Sequence, residues 1–287
     1  MNYDLCDYST INRILSKYGF TFSKALGQNF LIDSSVCPAM AEMLNADKNT
    51  GVLEIGPGIG VLTKELCKTA GKVAAIEFDK RLFPVLEETL SEFDNLKLIE
   101  GDVMKLNLNE LIEKEFKGFS SIKVCANLPY YITSPVVMRL LESNLPISEI
   151  EVMVQKEAAQ RLCAQIGSRD AGAVSVAVNY YGNAQILFEV GRESFMPSPK
   201  VDSAVIKITL HNRPEFNVSD EKKFFAVVKA AFAQRRKTLV NSLSNSLGLS
   251  KNKITYALES LGLDSNIRAE KLEMEDFVNL SDLLYQQ

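Results

Sequence analysis

The residues in this chain best suited to chemistry are Asn127-Leu128-Pro129-Tyr130. They follow a short apolar run, Ile122 to Ala126, that reads as a strand. A primary amide, a ring-locked proline and a phenol make a poor core at that point and a good site. The Asn127 side-chain oxygen and a backbone carbonyl near Leu128 or Pro129 can accept both hydrogens of an exocyclic amine. Pro129 stiffens the turn that presents them. Tyr130 can stack on a flat base, an interaction worth roughly 1–3 kcal/mol. Taken alone, the tetrapeptide is read equally well as a strand-ending turn.

A second feature lies upstream, the glycine-rich stretch Glu54-Ile55-Gly56-Pro57-Gly58-Ile59-Gly60. Glycines directly after a strand let the backbone turn tightly into a helix and approach a ligand closely. Dinucleotide sites use G-x-G-x-x-G. Here the spacing is Gly56-x-Gly58-x-Gly60 with Glu54 in front, which departs from the nicotinamide pattern and resembles the first motif of S-adenosylmethionine-dependent methyltransferases. The next strand ends in Glu77, 21 residues past Gly56, where a carboxylate can accept both hydroxyls of a ribose. The third strand runs into Gly101-Asp102, and Asp102 could accept the amine of an adenine. Each acid alone is better explained as a helix cap or loop residue than as a ligand contact. In order, each at the C-terminal end of a strand, the three features favour a ligand, because open α/β sheets bind there.

Together the two features imply methyl transfer to the amino group of a nucleobase. Such an amine is a poor nucleophile because its lone pair is conjugated into the ring. Acceptors on its two hydrogens favour a pyramidal nitrogen. The amine proton becomes acidic once the nitrogen is alkylated, so positioning and electrostatics can supply most of the rate without a strong base. That suits a chain whose only histidine is His211, a count that argues against Ser-His-Asp, Cys-His and most zinc-hydrolase chemistry.

These residues need a scaffold, and the hydropathy pattern supplies one. Val52–Ile55, Lys72–Glu77, Leu96–Glu100, Ile122–Ala126 and Ile150–Val154 read as strands, with helices after the glycine loop, from Asp79 to Leu90 and from Thr133 to Leu141. Strand–helix alternation with buried apolar strands implies an α/β fold with a doubly wound, mostly parallel sheet. Ala184–Val190 and Ser203–Leu210 add late strands, and the prolines of Phe195-Met196-Pro197-Ser198-Pro199-Lys200 exclude regular structure between them. Near the start, Ile11, Ile14, Leu15 and Tyr18 recur at helical spacing, with Ser9 or Thr10 as cap and Gly19 as stop. Asp33 can cap a second helix, and the intervening Lys24–Leu31 has no clean periodicity. His211 to Pro214 reads as a linker, after which Glu221–Ala233, Lys237–Leu247, Lys251–Leu261 and Met274–Leu284 read as helices. The expected division is a catalytic domain over 1–212 and a small all-helical domain over 213–287.

The 287 residues, 46% of them hydrophobic, suffice for two packed domains. No apolar run approaches a membrane span and the start lacks a secretory pattern, so no membrane is expected. Five scattered cysteines without a Cys-x-x-Cys pair point to a reducing cytoplasm, with no disulfide framework and no metal site. The net charge of −4 argues against a nucleic-acid partner until its distribution is considered. Residues from Lys200 onward carry 13 basic and 11 acidic side chains, the preceding ones 19 and 25. Basic density peaks at Lys229 and at Arg235-Arg236-Lys237 with no acid between. That run is either a phosphate-contacting patch or a solvated helix face.

Nearly the whole chain is similar to the ribosomal RNA adenine dimethylases of the small-subunit (16S) type. The resemblance is carried by Lys24–Leu31, by Glu54–Thr63, by Asn127–Tyr130, by Phe195-x-Pro-x-Pro-Lys200-Val201-Asp202-Ser203 and by Phe232-x-x-Arg235-Arg236-Lys237-Thr238-Leu239. One departure is Ala269 after Arg268, where the family usually has proline, which bears only on a local helix start. The resemblance implies a class I, Rossmann-like methyltransferase fold. It further implies that Asn29 and Leu31 contact S-adenosylmethionine together with Gly56, Gly58, Glu77, Asp102 and Asn127. It implies dimethylation of two adjacent adenosines in the hairpin loop near the 3′ end of the small-subunit RNA, within a late 30S assembly intermediate. Phe195 then either faces Tyr130 across the target base or packs in the core. Arg235, Arg236 and Lys237 would touch RNA phosphates. Nothing demands a dimer, so a monomer is expected. The rivals are a 23S adenine methylase of the macrolide-resistance type, a ribosome-assembly factor with vestigial chemistry, and a nicotinamide oxidoreductase.

Overall fold

The computed structural model describes residues 3–23 and 26–285. Lys24 and Ala25 of the Lys24–Leu31 signature, and Met1 and Asn2 of the N-terminus, lie outside the described residues. No described helix is long and apolar enough to cross a membrane.

The chain runs α1 (Tyr8–Lys17), β1 (Phe30–Leu31), α2 (Val36–Leu44), β2 (Thr50–Ile55), α3 (Val61–Thr69), β3 (Lys72–Glu77), α4 (Phe83–Thr89), β4 (Leu96–Glu100), α5 (Leu108–Glu115), β5 (Ser121–Asn127), α6 (Thr133–Glu142) and β6 (Glu149–Gln155). It continues through α7 (Lys156–Leu162), α8 (Ala173–Tyr181), β7 (Gly182–Val190), β8 (Phe195–Met196) and β9 (Ser203–Leu210). The last helices are α9 (Glu221–Phe232), α10 (Leu239–Leu247), α11 (Lys251–Ser260) and α12 (Met274–Tyr285).

Seven strands form one sheet in the order β4-β3-β2-β5-β6-β9-β7. The first five pair in parallel, and β9 joins β6 antiparallel. The chain winds outward from β2 to β4, then returns to the other side of β2 at β5. The order therefore reverses between β2 and β5, and the loops leaving those two strands diverge to opposite faces, opening a crevice at their C-terminal ends. Every residue of β2 is buried, as expected of a strand covered on both faces.

The fold departs from the periodic reading in instructive places. The cap of α1 is Asp7, whose carboxylate accepts from the Thr10 amide, rather than Ser9 or Thr10. Asp33 accepts from the Ser35 amide and hydroxyl, so it shapes the turn ahead of α2 instead of capping the helix. Phe195-Met196, expected to lack regular structure, pairs antiparallel with Phe30-Leu31. Two residues are too few to show periodicity, and the prolines begin only after them. Three helices, α5, α7 and α8, lie in stretches where the hydropathy pattern predicts no element. Ala173 to Val178 places a valine at every second position, yet it is helical, with the Ser175 hydroxyl accepting from the Gly172 amide at its start. Tertiary packing overrides its β-branched propensity.

The described structure falls into two compact units. One holds residues up to 159 together with 185–210, and the other holds 160–184 together with residues from 211 onward. The single boundary expected near 212 therefore leaves out α8. In the second unit Tyr180 and Tyr181 of α8 pack against Phe224 and Phe225 of α9 with ring centroids 5.3–5.5 Å apart. Nothing local in the sequence signals that long-range aromatic cluster.

One buried acid makes a stability prediction. Glu151 on β6 is fully buried, and neither carboxyl oxygen has a hydrogen-bond partner within the structure. Its pKa is pushed up to about 8 by burial, with Lys207, 3.9 Å away, pulling it down and Glu149 pushing it up. The folded chain thus holds a proton that the unfolded chain releases near the ordinary carboxyl value. The resulting stabilisation is present at low pH and lost as pH rises toward 8. Chemical denaturation at pH 5.5 and 8.5 is expected to show wild type losing stability across that interval. Glu151→Gln should reduce the loss by on the order of 1–3 kcal/mol. An unchanged difference would place an anion at Glu151 throughout.

Candidate functional site

Four loops converge on the crevice between β2 and β5. The glycine loop leaves β2 with Gly56, Gly58 and Gly60 all at positive φ (73°, 61° and 94°). A side chain at Gly58 would be strained by its backbone and would meet the Phe30 ring at 3.3 Å. Gly56 donates to the Ile76 carbonyl, so the loop is tied to β3 as it turns. Asn127 ends β5, and the Leu128 amide donates to the Met153 carbonyl of β6. That bond aims Pro129 and Tyr130 away from the sheet into a short 3₁₀ turn over Tyr130–Ile132.

These loops enclose a cavity of about 280 Å³ lined by Asn29, Leu31, Gly56, Gly58, Glu77, Asp102, Asn127, Leu128, Pro129, Tyr130 and Phe195. Every expected cofactor and acceptor residue of the sheet domain is thus brought together. The Leu128 side chain is itself buried, so what that residue can offer a ligand is its carbonyl. Arg235, Arg236 and Lys237 do not line the cavity. They are exposed in the second unit, where Arg235 Nη2 donates to the Arg169 carbonyl at 2.8 Å.

Glu77 is buried with Oε1 accepting from the Asp79 amide at 2.7 Å and Oε2 from the Gly58 amide at 3.4 Å. Burial raises its pKa, and those backbone donors oppose the rise. The carboxylate is therefore fixed against the glycine loop at the end of β3. Asp102 Oδ1 accepts from the Met104 amide at 2.9 Å, which holds the turn after β4. Tyr130 is half-buried, with its hydroxyl 2.8 Å from Ser203 Oγ, and burial raises its pKa. That contact holds the ring at the cavity wall. Phe195 is 3% exposed and belongs to the core cluster of Leu31, Met40, Met153 and Val205.

Three sets of residues take places at the site that spacing alone does not assign. Gln28 donates to Asp79 Oδ2 at 2.8 Å and accepts from the Ser23 amide at 2.9 Å. Arg81 grips the same carboxylate through both oxygens, lowering its pKa, and lies 4.9 Å over the Phe20 ring. This latch fastens the segment before β1 beside the cavity. Phe78, Met104 and Tyr131 also line it, with Tyr131 57% exposed at the mouth. Glu54 lines it as well, buried at the end of β2. Its signal in the sequence was a carboxylate set in an otherwise apolar strand.

The model of the ribosomal RNA adenine dimethylase family matches residues 19–286. The chain is 47% identical over 287 residues to ribosomal RNA small subunit methyltransferase A of Geobacillus thermodenitrificans (strain NG80-2), covering 99% of this chain and 98% of the relative. It is 46% identical to the protein of the same name from Streptococcus sanguinis (strain SK36), covering 98% of each. Among solved structures, a dimethyladenosine transferase from Plasmodium falciparum matches with a TM-score of 0.71 at 25% identity, over 88% of this chain and 95% of that one. The 23S rRNA methyltransferase ErmE matches with a TM-score of 0.66 at 25% identity, over 90% and 100%. The fold is that of a class I methyltransferase with added helices. The chain belongs to the ribosomal RNA adenine dimethylase family and is an enzyme of ribosomal RNA methylation.

Proposed function

We propose that this chain transfers methyl groups from S-adenosylmethionine to the N6 amines of two adjacent adenosines in the 3′-terminal hairpin loop of small-subunit ribosomal RNA. The product is a pair of N6,N6-dimethyladenosines. The acceptor is a 30S assembly intermediate, and the enzyme acts as a cytoplasmic monomer. The observation that carries this reading is the meeting, in one cavity, of the β2 glycine loop and the Asn127–Tyr130 turn of β5.

The residues present fit the cofactor. A close-approach glycine loop, a buried carboxylate at the end of β3 and an acid after β4 supply contacts for its amino-acid end, ribose and adenine. Asn29 and Leu31 close the same cavity from the β1 side. When bound, S-adenosylmethionine supplies a methyl group activated by a positively charged sulfur. The chain's own residues do the rest. Asn127 Oδ1 and the carbonyl of Leu128 or Pro129 accept the two hydrogens of the target amine and orient its lone pair toward the cavity. Tyr130, held by Ser203, offers a ring face to the adenine, with Phe195 in the adjoining wall. Orientation in the cavity supplies the rate.

Kinship with small-subunit methyltransferases favours that RNA over the large-subunit one. The test is incubation of purified small and large subunits with labelled methyl donor, followed by mass spectrometry of each RNA. Two adjacent dimethyladenosines in the small-subunit RNA are expected. Methylation of the large-subunit RNA alone would overturn the assignment.

The helical unit is proposed to hold RNA phosphates through Arg235, Arg236 and Lys237. Arg236→Gln with Lys237→Gln is expected to weaken subunit binding and to reduce the slope of log affinity against log salt by about 2. Arg235→Gln removes in addition the hydrogen bond to the Arg169 carbonyl. An unchanged slope in the double variant would assign these residues to folding or solubility.

A further inference from the structure

Glu54 is the most deeply buried acid lining the cavity, 1% exposed, and its Oε2 has no hydrogen-bond partner within the structure. It lies at the end of β2, opposite Ala75 of β3 and Cys125 of β5. The groups facing it come from every element around it. They are Thr63 and Cys67 of α3, Cys37 of α2, Cys125 of β5 and Glu77 of β3. None of them is a cation. Thr63 Oγ1 is also buried and lies outside hydrogen-bonding geometry, although it is close enough to favour the anion. Other buried acids of this unit have a donor or a cation beside them, including Glu151, whose oxygens lack hydrogen bonds but whose Oε2 lies 3.9 Å from Lys207 Nζ. Glu115 has Lys72 at 2.9 Å, and Asp79 has Arg81 and Gln28. Glu54 is thus a buried acid in the wall of the ligand space with no cation beside it.

A buried carboxylate in such a place is stable only when neutral or when a cation arrives. On the reading that the cavity takes S-adenosylmethionine, we infer that Glu54 is a carboxylic acid in the unliganded enzyme and ionises as the ligand's α-ammonium group seats against it. Ligand binding therefore expels a proton. The step makes no covalent bond: the Glu54 carboxyl O–H proton passes to the buffer, and the carboxylate stays paired with the ammonium. The alternative cation in the ligand is its sulfonium. An anionic oxygen in a dry pocket against that methyl group would itself compete as a methyl acceptor, so the amino-acid end is the fitting partner. Burial pushes the Glu54 carboxyl up to about 8, the Thr63 hydroxyl lowering and Glu77 raising it further, which places the unliganded side chain in its neutral form at neutral pH. Glu54 then acts as a charge gate that admits a cationic amino-acid end.

The test is isothermal titration of the full chain at pH 6.5 in buffers of different ionisation enthalpy. At that pH the ligand's own amine is already protonated, because α-amino groups titrate near 8. The probes are S-adenosylmethionine, S-adenosylhomocysteine, which keeps the ammonium but lacks the sulfonium, and 5′-methylthioadenosine, which lacks the whole amino-acid end. Release of close to one proton is expected with the first two and close to none with the third. Apparent Kd for the first two should fall about tenfold per pH unit between pH 6 and 7. Glu54→Gln, which matches the neutral acid in shape, should keep the fold, release no proton and lose that pH dependence. Release that persists in Glu54→Gln, or that occurs equally with 5′-methylthioadenosine, would overturn the proposal and move the proton to Glu77. Release with S-adenosylmethionine alone would overturn the ammonium assignment. Tight binding without proton release would sink the inference and leave the methyltransferase reading intact, whereas failure of the wild type to bind the methyl donor would sink that reading itself.

Discussion

Asn127→Ala is expected to lower methyl transfer by roughly 10²–10³-fold or more while leaving subunit binding near the wild-type level. The size follows from what the side chain does. In the proposed reaction its oxygen is one of two acceptors for the hydrogens of the target amine. Without it the nitrogen stays planar and its lone pair stays in the ring. The loss belongs to the reacting configuration, so it should fall on kcat and spare the binding of RNA. The measurement is methyl incorporation under single-turnover conditions, beside subunit binding by filter retention or sedimentation. Asn127 also lines the cavity proposed for the cofactor, so the assay needs saturating methyl donor to separate weak donor binding from weak chemistry. Undiminished transfer would remove Asn127 from the reaction. Equal loss of subunit binding would make it a docking residue.

The elements around Asn127 were legible because their patterns are local. Apolar strands broken by Gly56-Pro57-Gly58 and by Asn127-Leu128-Pro129 announce both the sheet and its ligand-binding edge, and the observed strands match the expected ones to within two residues. The positions of Glu77 and Asp102 follow once the strands are set, since each stands at or just past a strand's end. Strand order was not legible in the same way. That β5 lies beside β2, with the crevice between them, depends on long-range pairing. The β1–β8 ribbon escaped for the same reason, because Phe30-Leu31 and Phe195-Met196 are ordinary dipeptides until they meet. Gln28, which turns out to hold Asp79, carries no signal of its own partner. Glu54 did carry one, a charge inside a buried strand, but its meaning depends on what surrounds it. The grouping of α8 with the C-terminal helices rests on ring contacts more than 40 residues apart in sequence, which no window of periodicity detects.

Phe195→Ala should destabilise the catalytic unit by about 3–5 kcal/mol, or lower Tm by roughly 5–8 °C for a chain of this size. Phe195 is 3% exposed and sits among Leu31, Met40, Met153 and Val205. It also anchors the β1–β8 ribbon, opposite Leu31. Around it the Ile32 amide donates to the Ser194 carbonyl at 2.8 Å, and the Ser194 hydroxyl donates to Asp33 at 3.2 Å. Emptying the position therefore loosens both the core and the segment that carries Asn29 and Leu31 into the cavity, so donor affinity should fall with the melting temperature. Phe195→Leu separates packing from contact with the base. Leucine keeps most of the volume and should cost under about 1.5 kcal/mol, leaving transfer close to wild type if the ring serves packing. A leucine variant that melts normally yet loses ten- to a hundredfold in kcat/KM would instead show the loss of a stacking surface worth roughly 1–3 kcal/mol. Phe195 would then stand across the adenine from Tyr130, and the core contacts would be what fixes its ring in place.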